Sequence, residues 1–312
     1  MDLPPLPLDA WRDTRETLHR WAQVVGKVRL GLTPLINHWW NVPFYVSARG
    51  LTTSAITLGE RWFEMEFDFV GDALRIQPND GPPHLVELRP RSVADFYAAT
   101  MTALRAANID CHIWTMPVEM TDPIPFERDH EHRSYDKEYV LRFWDILAQA
   151  DDAMTKFRGR FVGKCSPVQF YWGTFDLSVS RFSGRRAPPF EASSIEREAY
   201  SHEVASVGWW PGDKRLDRAA FYSYIAPEPP GFQETNAGPH AYYHAPIHCF
   251  CLDDDDVRRS RDQEGMVLDF FETTYGAAAD LAGWPRAELE REPPTPPPSP
   301  LARPEVAQPL AP

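Results

Sequence analysis

The run Asn37-His38-Trp39-Trp40-Asn41 sets a histidine between carboxamides and indole rings. An imidazole desolvated by Trp39 and Trp40 is held neutral and can accept a proton, so His38 reads as a general base or, more plainly, as a core histidine with its hydrogen bonds met. Asp176 lies between Phe175 and Leu177, where a carboxylate is costly without a partner; His38, Arg49 and Arg181 are the candidates. In Tyr200-Ser201-His202-Glu203, strand alternation sends Tyr200 and His202 to one face and Glu203 to the other. The expected chemistry is acid–base: His38 or His202 as the proton carrier, Asp176 or Glu203 as its carboxylate.

Arg49 and Arg181 are either structural partners of carboxylates or a pair clamping an anionic group. The aromatic wall of such a cleft would be Trp39, Trp40, Tyr171, Trp172, Tyr200 and Tyr222, with Asn37 and Asn41 as polar contacts. A metal on His38, Asp176 and His202 is an alternative that no spacing enforces. His240, His244 and His248 recur at a helical interval, but Pro239 and Pro246 argue against a helix there. No Gly-rich phosphate loop, HExxH or GxSxG occurs, which leaves nucleotide and serine-hydrolase readings unsupported and the cofactor open.

These residues require elements to hold them. Asn37 to Gly50 has a degenerate echo in Gln169 to Arg181, with Trp40 and Arg49 facing Trp172 and Arg181, and Val93-Ala94-Asp95-Phe96 facing Val267-Leu268-Asp269-Phe270. The period is too long for a solenoid. The expectation is an α+β fold with an internal tandem duplication, each half helix, antiparallel strands, helix, packed as a pseudo-twofold two-layer unit. Trp40 and Trp172 stand 132 positions apart and Asp95 and Asp269 stand 174 apart, so the second half is 42 residues longer between these anchors.

In order, residues 1–8 read as an extended proline-rich arm. Residues 9–122 form the first half, opening at Asp9 as N-cap of a helix bearing Trp11, Leu18, Trp21, Val24 and Val25. Phe63, Met65, Phe67 and Phe69 alternate as the buried face of a strand, Ser92 caps a helix to Asn108, and Cys111–Met120 is a further strand. Residues 123–135 read as a linker. Residues 136–291 form the second half, with a helix from Asp136 to Arg158 and strands at Ala199–Val207, Phe221–Ile225 and Ile247–Leu252. A capping loop at Asp253–Asp256 then precedes a helix at Val267–Asp280. Residues 292–312 read as a disordered proline-rich tail.

A net charge of −13 and a pI near 5.2 argue against nucleic acid, and no run approaches the apolar length of a membrane span. Four cysteines without CxxC spacing fit reduced thiols in the cytoplasm. The expected partner is a small molecule, with monomer and homodimer both open. Asn37–Thr53, Phe157–Pro167 and Tyr200–Glu203 together resemble a bacterial family of unknown function of about 300 residues, over nearly the whole chain to Trp284. That resemblance implies no activity and no site residues.

Overall fold

The computed structural model describes residues 1–191 and 193–291, so the predicted tail at 292–312 lies outside the described residues. Helix α1 (Leu8–Leu32) precedes β1 (Tyr45–Val46), β2 (Gly50–Thr52), β3 (Ile56–Leu58), β4 (Arg61–Asp68), β5 (Ala73–Pro78) and β6 (His84–Glu87); α2 (Val93–Ala106) closes the series. Helix α3 (Lys137–Gly159) then precedes β7 (Gln169–Tyr171), β8 (Asp176–Arg186), α4 (Ser194–Ala199), β9 (His202–Trp210), β10 (Ala220–Ala226), β11 (Ala241–His244) and β12 (Cys249–Asp253). Three helices end the described chain: α5 (Asp254–Arg259), α6 (Gln263–Leu281) and α7 (Arg286–Leu289).

The strands form two six-stranded antiparallel sheets, one ordered β1-β2-β4-β5-β6 with β3 also on β4, the other β11-β12-β10-β9-β8-β7. Mixed helix and antiparallel sheet gives an α+β protein. The sheets meet edge to edge: Phe44 and Phe170, beside β1 and within β7, exchange two backbone hydrogen bonds of 2.8 Å. Strand β4 buries Phe63, Met65 and Phe67, and Phe69 just beyond it is buried too, as alternation predicts.

The structure revises several element boundaries and adds contacts to the arm and the linker. Helix α1 starts at Leu8 after an N-cap at Pro7, with Asp9 in its first turn, where a carboxylate suits the helix dipole. The arm is clasped to the body, with Leu3 and Leu6 buried. Residues 111–120 form no strand, because their backbone bonds go to α1 side chains: Gln23 exchanges two with Val118 and Lys27 donates to the Met116 carbonyl. Residues 123–135 do more than link, since the Asp129 and His132 carbonyls accept from Ala94 and Val93 at the start of α2. Residues 194–199 are helical, held by a Ser193–Glu196 capping box, so β9 begins only at His202. The last strand starts at Cys249, and Asp254 already opens α5.

Two of the matched anchors hold different places. Trp40 ends a 3-10 turn ahead of β1 while Trp172 follows β7, and Arg49 precedes β2 while Arg181 lies inside β8.

Candidate functional site

Helices α3 and α6 pack on β8, β9 and β10, and the inward side chains there are Leu177, Val179, Val207, Trp209, Phe221 and Ile225. Residues paired directly across antiparallel strands share a face. The register therefore lays one row on the other face, Gln169-Ser178-Gly208-Tyr222-Cys251-Tyr242, running across all six strands. Beside it, Ser180 Oγ and Ser206 Oγ lie 2.7 Å apart. This face has a floor of small and hydroxyl side chains rimmed by tyrosines.

One end of the face is built around Asp176. It accepts hydrogen bonds from the Thr174 and Tyr222 hydroxyls, and burial raises its carboxyl above the usual range despite them. Tyr222 reaches it by lying over Gly208, where an added Cβ would stand 2.4 Å from the phenol oxygen. Tyr171 donates to Gln169 at 3.1 Å, and Tyr200 and Tyr224 hydroxyls are 3.4 Å apart.

The other end is built around His38. His38 and Trp39 both adopt left-handed backbone, with φ of 58° and 62°, a conformation that costs energy for residues other than glycine. The turn is held by the His38 amide on Glu198 Oε1 and by the Trp39 indole on the Ile195 carbonyl, both at 3.0 Å. It places the buried imidazole 4.5 Å from the Phe182 ring, 5.4 Å from the Trp40 ring and 5.6 Å, edge-on, from His202.

His38 Nδ1 lies 3.0 Å from the Ala199 carbonyl, which only accepts, so this nitrogen carries the proton. Nε2 is thereby left as an acceptor, and Lys164 Nζ meets it at 2.6 Å. Lys164 is fixed by the Phe182 amide donating to its carbonyl, and its ammonium lies 4.9 Å from the Phe182 ring centre and 5.4 Å from that of Trp40. Burial lowers the pKa of both His38 and Lys164. His202 is lowered too, by burial and then by the charges of Lys164 and Arg186.

Residues 3–291 match the family model DUF5996, a family of unknown function. The chain belongs to this family. No curated protein and no solved structure matches it.

In this DUF5996 member, His38, Trp40 and His202 come together as a cluster, while Asp176, Tyr171, Tyr200 and Tyr222 gather at the far end of the same face. Six positions of β8 separate Asp176 from Phe182, about 20 Å of strand. Asp176 is therefore not the partner of His38, and His38, Asp176 and His202 hold no common metal; among the described residues no group of His, Cys, Asp or Glu is arranged for one. Glu203 points away from His202, taking hydrogen bonds from Ser183 and Arg185. The arginines do not share a cleft: Arg49 pairs with Asp68 at 2.8 Å, and Arg181 is buried on Glu272 with its guanidinium 3.3 Å from the Phe157 ring centre.

Asn41 ties Thr33 and the Ile36 amide, Trp172 donates to the Val42 carbonyl, and Asn37 is exposed. Trp39 packs its indole against α4. Lys164, Glu198 and Phe182 went unread in the sequence. Lysine scarcity was the available signal: the chain has five, and Lys164 follows the apolar stretch Phe161-Val162-Gly163.

Proposed function

We propose that this protein is a small-molecule enzyme whose proton-transfer centre is the Lys164–His38 pair, with Trp40 and Phe182 as its apolar wall and His202 as a second imidazole. The observation that carries the reading is the 2.6 Å contact from Lys164 Nζ to an imidazole nitrogen whose partner nitrogen is committed to a carbonyl. That arrangement gives the lysine a base as its neighbour, and strained backbone at His38 and Trp39 is maintained to produce it. The other four lysines have oxygen acceptors: Lys27 on Met116, Lys137 on Asp72, Lys156 on Asp152 and Glu264, and Lys214 on Asp122. The unpaired state of all four cysteines supports work in a reducing compartment such as the cytoplasm.

The test is competitive amine labelling of the full chain with acetic anhydride across pH, read residue by residue by mass spectrometry. Lys164 should label with a midpoint below those of Lys137, Lys156 and Lys214, and His38→Gln should shift that midpoint without changing the other three. An ordinary midpoint at Lys164 would instead favour a non-catalytic binding module on the tyrosine-rimmed face.

A further inference from the structure

The amine and its neighbours are arranged for more than proton exchange. Lys164 is part-exposed, and His38 Nε2 lies against its nitrogen. No carboxylate lies within hydrogen-bonding reach of the ammonium among the described residues; Glu198, whose charge acts on it, bonds the His38 amide. Arg186 stands opposite His202 in the β8–β9 pairing and makes no ion pair among the described residues. The site therefore offers an amine beside a base, with an uncommitted guanidinium on the same face.

We propose that Lys164 forms an imine with the carbonyl carbon of a small oxo acid, whose carboxylate is met by Arg186 and His202. The inference rests on the reading of Lys164 and His38 as the proton-transfer pair. His38 Nε2 takes one ammonium proton, and the free amine adds to the carbonyl to give a carbinolamine. In that addition one proton passes from nitrogen to the former carbonyl oxygen, which becomes the hydroxyl; the imidazolium then returns its proton to this hydroxyl, which leaves as water. One proton stays on the iminium nitrogen and two depart with the oxygen, so the step closes without oxidant or reductant. Burial favours the uncharged amine that the addition needs.

The experiment treats the full chain with glyoxylate and sodium cyanoborohydride, which reduces the iminium to a stable carboxymethyl-lysine, and maps the product by peptide mass. Lys164 should be modified about tenfold faster than Lys137, Lys156 or Lys214 for each pH unit by which its amine is more readily freed. Lys27, only 5 % exposed, serves as a shielded control. Lys164→Arg should remove the fast phase, His38→Gln should slow it, and Arg186→Met should abolish the preference for glyoxylate over propionaldehyde. Modification that follows exposure alone, or none at Lys164, overturns the imine; equal rates with the two aldehydes at Lys164 overturn the carboxylate contact. If anhydride labelling shows the lowered midpoint yet no adduct forms, the imine fails and the proton-transfer reading stands. If that midpoint is ordinary, both fall.

Discussion

Asp254 shows what a buried carboxylate does to this fold. It is 4 % exposed, opens α5, and has the Trp209 indole N–H as its side-chain donor at 3.0 Å. Burial pushes its carboxyl up to about 7. Between the unfolded value near 3.9 and 7, the folded chain keeps a proton that the unfolded chain has lost, so this group's contribution to stability falls as pH rises through that window. Asp254→Asn keeps the acceptor for Trp209 and removes the titration. The variant should match the parent at pH 4 and exceed it by up to about 4 kcal/mol at pH 8 in chemical denaturation. A gain that is the same at both pH values would show that the carboxyl is not held up. The same physics made His38 and His202 legible in the sequence, since a titratable group among indoles or in an alternating strand stands out locally. Lys164 was not legible, because its meaning comes from an imidazole 126 positions away. Nor was the distance between Asp176 and His38, which is set by the length of β8.

Among the elements, α1 carries the clearest departure from a simple amphipathic pattern. Its apolar side, with Trp21, Val24 and Val25, was readable from helical spacing, yet Thr17, His19, Arg20, Gln23 and Lys27 are buried as well. They are covered by other chain segments. His19 Nε2 lies 2.9 Å from the Gly173 carbonyl, Arg20 pairs with buried Asp129 at 3.3 Å, and Gln23 makes two bonds of 2.8 Å to Val118. A sequence window shows polar residues as solvent-facing, and only tertiary structure supplies the backbone that uses them as a substitute for a strand partner. Gln23→Ala would leave a backbone N–H and carbonyl at Val118 without partners, at a cost of about 2–3 kcal/mol. Hydrogen exchange should rise first at the Val118 amide. If that amide stays as protected as in the parent, the segment is held by its apolar contacts and not by Gln23.

At the scale of the whole molecule, one hydrophobic cluster runs from Leu3 and Trp11 through Phe67 and Phe96 to Trp209 and Phe271. The two sheets share it, and the Phe44–Phe170 bonds carry the hydrogen-bond ladder from one to the other. The N-terminal arm acts on the same unit. Leu3 and Leu6 are 3 % and 5 % exposed, the Leu3 amide donates to Gln263 of α6, and the Asp2 carbonyl accepts from Gln149 of α3. Burying two leucines is worth about 1.5–3 kcal/mol each. Deleting residues 1–7 should therefore lower the unfolding midpoint by several degrees and keep one transition, with far-UV circular dichroism and tryptophan fluorescence still coincident. The cluster makes this outcome specific, because loosening α3 from α6 removes packing from the second sheet and from α1 together. Two separated transitions in the truncated chain would mean that each half holds its own core and that the arm was binding them into one.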